Sequence, residues 1–172
     1  MGKLGLREVL VTLNNLIESG VIKDYAIGGG YAVMFYDIPL LTYDLDVLVV
    51  LSSEEDYHRL YQHFREKGCK IEDVYIYIHG MPVQFLPNYI SPLFNTAIEE
   101  ASEVEFKGIR SKFVNIEYLI VLLLTSFRLK DRIRIQSLLG KADSTRLLSI
   151  IQRFDNDQRQ LYKRYNKILA ET

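Results

Sequence analysis

Ala26-Ile27-Gly28-Gly29-Gly30 and Thr42-Tyr43-Asp44-Leu45-Asp46-Val47 are the two segments on which the reading of this 172-residue chain turns. Residues 23–27 form a short apolar-rich strand that runs into three consecutive glycines, and residues 31–35 restart as a helix of small and apolar side chains that ends before Pro39. A strand that ends in glycines and feeds a helix lets backbone come close to an anion, with the helix N-terminus facing it. Asp44 stands fourteen residues after Gly30, and Asp46 lies two further on, at the start of a strand over 45–51. The almost unbroken aliphatic run of that strand marks it as covered on both faces. Period-two alternation puts both carboxylates on one face. Two neighbouring carboxylates repel, and burying them unpaired is costly. A divalent ion resolves the conflict, and Mg²⁺ takes one or two carboxylates together with substrate phosphates.

Outward from this pair, the periodicity gives a consistent order of elements. Leu4, Val9, Leu10, Leu13, Leu16 and Ile17 recur at helical spacing, with Gly20 placed as a helix-terminating glycine. Ser52 or Ser53, followed by Glu54, Glu55 and Asp56, opens a helix that runs to about Lys67. Strand-like stretches at 71–78 and 81–86 meet at His79-Gly80 as in a hairpin, residues 87–92 read as a loop, and one or two short strands flank Lys107-Gly108. Helices are expected at 116–128, 130–139, 144–153 and 156–169. The fold class is therefore α/β (α+β): a mixed sheet flanked by helices, followed by a C-terminal helical region. The boundary divides a 1–114 core from a 115–172 helical region packed on it.

Composition narrows the function classes. With 48% hydrophobic residues the chain can bury a real core. The longest apolar run, 116–124, is interrupted by Glu117 and falls short of the roughly 18 to 20 residues of a membrane span. Residues 1–11 carry Lys3, Arg7 and Glu8 with no apolar signal core, and Leu6 stands where myristoylation prefers Ser or Thr. Cys69 has no cysteine to pair with, as in a reducing compartment, so a cytoplasmic, soluble protein is expected. The formal net charge of −1 hides an asymmetry: residues 107–172 hold 14 basic and 6 acidic side chains, the rest 7 and 16. An acidic metal-binding lobe beside a phosphate-attracting surface is one reading. Basic helices that are solvated, or docked on the acidic lobe, are the other.

The order and spacing of the glycine turn and the Asp-x-Asp strand resemble the nucleotidyltransferase superfamily, the DNA polymerase β-like nucleotidyltransferase fold. The likeness is greatest to abortive-infection-type nucleotidyltransferase toxins and small relatives. Asn115-Ile116-Glu117-Tyr118-Leu119-Ile120 and Arg128-Leu129-Lys130-Asp131-Arg132 are similar to a helical motif of that branch, so the resemblance spans residues 21–140. It implies that Asp44 and Asp46 are catalytic and hold Mg²⁺, and that Gly28, Gly29 and Gly30 line the triphosphate of an NTP. It further implies that Thr42 touches a phosphate and Lys130 contacts the nucleotide. The implied reaction transfers a nucleoside monophosphate to a hydroxyl of RNA (tRNA among the candidates), a protein or a small molecule, with the basic helical half holding the acceptor.

Four positions depart from the family pattern. The third carboxylate should sit within Met81-Pro82-Val83-Gln84-Phe85-Leu86-Pro87, and the matching residue is Gln84. An amide holds a metal-bound water but accepts no proton from an attacking hydroxyl. Leu123 replaces a frequent lysine, Arg134 a frequent acid, and Gly30 the usual Ser or Thr. Asp73 and Glu105 are the candidates to replace the missing carboxylate. These departures carry the alternative function, a catalytically impaired binding or regulatory module that works with a partner protein, antitoxin-like.

Other chemistries find no support in the spacing. His58 and His63 are five apart and do not share a helix face as zinc ligands at i and i+4 do. No Gly-Lys-Ser/Thr follows the glycines, and a dinucleotide fingerprint begun at Gly28 meets Val33 at its third glycine. A nucleophile elbow is lacking. Tyr75 and Tyr77 alternate on one strand face, and Tyr162 and Tyr165 lie on the last helix; packing is the first reading for them and base stacking the second. Arg159, Lys163, Arg164 and Lys167 form a basic stripe, read as a solvated face with RNA phosphate as the alternative.

Overall fold

A computed structural model describes residues 5–36 and 40–172. The expected helix end before Pro39, and Leu4 of the first helix, lie outside the described residues. The strands are β1 (Asp24–Ile27), β2 (Leu45–Val50), β3 (Ile71–Glu72), β4 (Tyr75–Ile78), β5 (Met81–Pro87), β6 (Ser102–Phe106) and β7 (Ile109–Phe113). They form one mixed sheet in the order β3-β4-β5-β2-β1-β7-β6. β2 lies at its middle, antiparallel to β1 and parallel to β5, and its residues Leu45, Val47, Leu48 and Val49 are buried, as the aliphatic run requires.

Among the described residues eight α-helices accompany the sheet: α1 (Leu6–Glu18), α2 (Gly29–Tyr36), α3 (Glu54–Glu66), α4 (Pro92–Glu99), α5 (Ile116–Ser126), α6 (Leu129–Leu139), α7 (Ser144–Phe154) and α8 (Gln160–Glu171). Ser53 caps α3 by accepting from the Asp56 amide, with three acids in the first turn. The buried apolar side chains form one cluster that runs from Leu6 on α1 to Ile168 on α8. α5 is largely apolar and correspondingly buried at Tyr118, Leu119, Ile120, Val121, Leu123 and Leu124. Among the described residues no helix is long and apolar enough to cross a membrane.

Three expectations change. The single strand over 71–78 is two strands, β3 and β4, because Asp73 takes a left-handed conformation (φ 55°) and turns the chain. The stretch after β5 is a short 3-10 turn, Asn88–Ile90, followed by α4, whose signal is Ser91 at the N-cap and Pro92 at the first helical position. The last helix starts at Gln160 rather than near 156, because the Asp155 carboxylate accepts from the Leu161 and Tyr162 amides and Arg159 takes a left-handed turn.

The basic half is partly neutralised from within. Arg132 pairs with Glu171 at 2.6 Å and Arg146 with the buried Glu117 at 3.2 Å. Arg164 donates to the Leu124 and Thr125 carbonyls, both at 2.8 Å, closing the C-terminus of α5.

Candidate active site

β1 ends at Ile27, and the Gly28 amide donates to the Asp46 carbonyl at 2.9 Å, which locks the glycine turn against the start of β2. α2 then begins at Gly29, whose left-handed backbone (φ 56°) brings it against the Asp46 side chain. A Cβ on Gly29 would lie 2.1 Å from Asp46 Oδ2, and one on Gly30 would lie 2.5 Å from Thr42 Oγ1. A Cβ on Gly28 would instead meet Leu48 Cδ1 at 2.8 Å, inside the core. The three glycines therefore divide their work: the first lets β1 and β2 pack, the other two clear space beside Asp46 and Thr42.

Burial, then the charge and the hydrogen-bonding carboxyl of Asp44, push the Asp46 carboxyl up to about 7, against the opposing pull of Arg128 and Arg134. Two neighbouring carboxyl groups, one of them buried, are a donor pair of the kind a divalent cation binds. Asp44 and Asp46 are the two carboxylates at this place that could hold a divalent cation. Gln84 stands directly opposite Asp46 across the β2–β5 ladder, at the place expected for a third carboxylate, and supplies an amide there. Among the described residues no group of three or more His, Cys, Asp and Glu is arranged to hold a metal.

The proposed replacements do not reach this place. Asp73 lies in the turn between β3 and β4, and Glu105 on the outermost strand β6, separated from β2 by β7 and β1. Leu123 is buried in the core of α5, so no cation stands there. Lys130 is exposed in the first turn of α6, while Arg128 and Arg134, on either side of it in sequence, carry the charges that act on Asp46. Arg134 Nη2 would be 3.2 Å from a Cβ on Gly30, next to Thr42. Arg128 is held by the fully buried Asp131, which accepts from its Nε at 2.9 Å, from its Nη2 at 3.3 Å and from its backbone amide at 3.0 Å. Ser126 Oγ donates to the same carboxylate at 2.8 Å. Burial pushes the Asp131 carboxyl up, but these donors outweigh it and hold it below the usual carboxylate range. In the sequence Arg128 appeared only within the Arg128-Leu129-Lys130-Asp131-Arg132 motif, where its i, i+3 spacing to Asp131 is a signal that could have singled it out; Arg134 stood out only as a departure from the family pattern.

Tyr75 completes a row across the sheet. It pairs with Gln84 across β4–β5, as Gln84 pairs with Asp46 across β5–β2, so the three share one face. Tyr43 lies edge-on to Tyr75, with ring centres 5.9 Å apart, and its hydroxyl is 2.7 Å from that of Tyr77.

Compared with family models and with curated proteins, the sequence matches none. Solved structures do match. An antigenic nucleotidyltransferase-like protein from Paracoccidioides brasiliensis superposes with a TM-score of 0.64 at 15% identity, over 99% of this chain and 90% of that one. The antibiotic-resistance factor ANT(2″)-Ia in solution superposes with a TM-score of 0.55 at 13% identity, over 99% and 98% of the two chains. Its crystal structure in complex with adenylyl-2″-tobramycin gives 0.54 at 13% identity, over 92% and 97%. The fold of this chain is that of the nucleotidyltransferases.

Proposed function

We propose that this chain binds an NTP with Mg²⁺ and transfers the nucleoside monophosphate to a hydroxyl acceptor. The observation that carries the reading is the convergence at the start of α2: Asp46 pressed against Gly29, and Thr42 with Arg134 beside Gly30. Asp44 and Asp46 are the metal-holding pair, and the ion, when bound, supplies neutralisation of triphosphate charge. Gly29 and Gly30 leave the phosphates access to the N-terminus of α2. Thr42 donates a hydroxyl there, and Arg134 gives a fixed positive charge where negative charge grows on the leaving pyrophosphate. The acceptor oxygen attacks the α-phosphorus, the bond to the bridging oxygen breaks, and the hydroxyl proton goes to water because Gln84 takes up none. Slow transfer is expected for that reason. The likeness in fold to ANT(2″)-Ia, whose complex contains an adenylylated small molecule, supports a small-molecule acceptor.

Gln84 also favours a second reading, a nucleotide-binding module that works through a partner protein without catalysis. Titration calorimetry of Mg²⁺-ATP and Mg²⁺-GTP into wild type and the Asp44→Ala, Asp46→Ala double variant tests the site. Binding that needs metal and disappears in the variant supports it; equal binding, or none, sinks it. Transfer of label from an α-labelled NTP to any acceptor then separates enzyme from module.

A further inference from the structure

We propose that the cavity between α1, α3 and β4, on the face of the sheet opposite the acidic pair, is a second binding site that takes a small organic anion: an apolar body carrying one phosphate or carboxylate group. The site is independent of the nucleotide reading above.

The register separates the two places. Asp46, Gln84 and Tyr75 share one face, so Ile76 and Ile78, which alternate with Tyr75 along β4, point to the other. Ile78 lines a cavity of about 490 Å³, and the buried Leu16 of α1 and Phe64 of α3 complete its apolar floor. That volume and that floor suit a small molecule. His63 and Lys67, one turn apart at the end of α3, and the exposed His79 between β4 and β5 form the rim. None of the described residues that line the cavity is Asp or Glu. Acids outnumber bases by 16 to 7 over residues 1–106, so three basic groups without a carboxylate stand out from their surroundings.

The polar groups favour an anion over a cation. α1 and α3 both end at the cavity, and helix C-termini ordinarily attract cations. Here their carbonyls are already taken: Asn15 accepts from the Ser19 amide and Oγ, both at 2.9 Å, and Leu16 from the Val21 amide at 2.9 Å. His63 accepts from the Lys67 amide at 3.3 Å, and Phe64 from the Cys69 amide at 3.0 Å. Among the described residues no three of His, Cys, Asp and Glu are arranged to hold a metal, so His63, Cys69 and His79 form no metal site. Thr12 Oγ1 donates to the Glu8 carbonyl at 3.0 Å, and the same oxygen therefore accepts from His79 Nε2 at 3.2 Å. That leaves His79 Nδ1 as the nitrogen that gains a proton. Burial, and then the charge of Lys67, push His63 below its ordinary value, against the pull of Glu66. Glu66 is bonded to Gln62 at 3.1 Å and does not line the cavity; from α1 the lining side chains Thr12, Asn15 and Ser19 are uncharged. An anion held between Lys67 and the two imidazoles stabilises their protonated forms, so binding takes up a proton.

The test uses the full chain with phenyl phosphate, benzoate and phenol, read by the ring-proton magnetic resonance signals of the three histidines. His58 lines a different cavity, with Arg65 and Asp73, and serves as the internal reference. The two anions are expected to shift His63 and His79 but not His58, and to bind at least tenfold more tightly than phenol. The tighter of the two identifies the head group. Benzoate, which keeps its charge throughout, is expected to bind about threefold more tightly at pH 6 than at pH 8. Lys67→Gln, at an exposed position, is expected to weaken both anions about tenfold with Tm unchanged. Unmoved His63 and His79 signals, phenol binding as tight as the anions, anion affinity that does not rise on acidification, or affinity that Lys67→Gln leaves intact would each overturn the proposal.

Discussion

Asp46 on β2 and Gln84 on β5 are direct partners in the parallel ladder at the centre of the sheet. On the proposed reading, in which Asp44 and Asp46 hold the cation, the amide at 84 supplies no third negative ligand beside them. Gln84→Glu is nearly isosteric and adds that charge. Because oxygen-ligand sites tune affinity by the number of charged ligands, Mn²⁺ affinity should rise about tenfold, read by electron spin resonance of the free ion. Unchanged affinity would mean that position 84 does not face the cation.

The raised Asp46 carboxyl makes a pH prediction for the metal-free protein. Its folded value of about 7 lies above its ordinary value of 3.8, so the folded state holds the proton more tightly than the unfolded chain does. The stability it gives is fully present below about 4 and is lost as pH rises to about 7. In chelator, Tm should fall by on the order of 5 °C between pH 5 and pH 8, and Mg²⁺ at pH 8 should recover much of it. Asp46→Asn should flatten the dependence. A chelator-treated protein whose Tm rises across that window contradicts the burial of this group.

Most of the frame was legible because it is written in local pattern. The aliphatic run of β2, the glycines at the start of α2, and Ser53 with its three acids each specify their element from neighbours in sequence, whereas Gln84 was matched to its position by the family resemblance, and the register places it opposite Asp46. What was missed depends on backbone that departs from pattern or on distance along the chain. The turn at Asp73 is a left-handed residue inside an apolar alternation, which looks like one strand until φ is known. α4 is eight residues long, too short for a periodic signal to outweigh Pro87 and Pro92. The role of Arg134 needs the crossing of α6 over the glycine turn, a contact between residues more than a hundred apart. Tyr75 was weighed in the sequence for packing and then base stacking; its place in one row with Gln84 and Asp46 needs the register across three strands.

Arg128 and Asp131 yield a stability prediction independent of any ligand. Asp131 is wholly buried while the Arg128 side chain is 61% exposed, so the pair is asymmetric. Arg128→Ala leaves a buried carboxylate with only Ser126 and a backbone amide, and should cost about 2 kcal/mol, less than a fully buried pair because the arginine is solvated. The carboxyl of Asp131 is depressed in the fold, so its contribution is present above its unfolded value and is lost as pH falls through the folded one. Denaturant unfolding of the variant should therefore show a loss at pH 7 that shrinks toward pH 3. A loss that stays constant with pH would assign the effect to packing alone.

The glycine turn separates chemistry from packing within three residues. Gly29→Ala places a methyl 2.1 Å from Asp46 Oδ2 and 2.8 Å from its Cγ, on a backbone with φ 56°. The left-handed strain is about 1 kcal/mol, and the Asp46 side chain has to shift to admit the methyl. Gly28→Ala meets a core leucine, Leu48, at 2.8 Å and Val114 at 3.8 Å, with no carboxylate nearby. Overpacking of that kind costs typically about 1 to 3 kcal/mol and forces β1 away from β2. The two variants should thus part company: Gly29→Ala loses Mg²⁺-ATP binding with a modest fall in Tm, whereas Gly28→Ala loses mainly stability. Calorimetry and thermal melts of both variants check this. Retained metal-dependent binding in Gly29→Ala would argue against Asp46 as a ligand of the cation in this conformation.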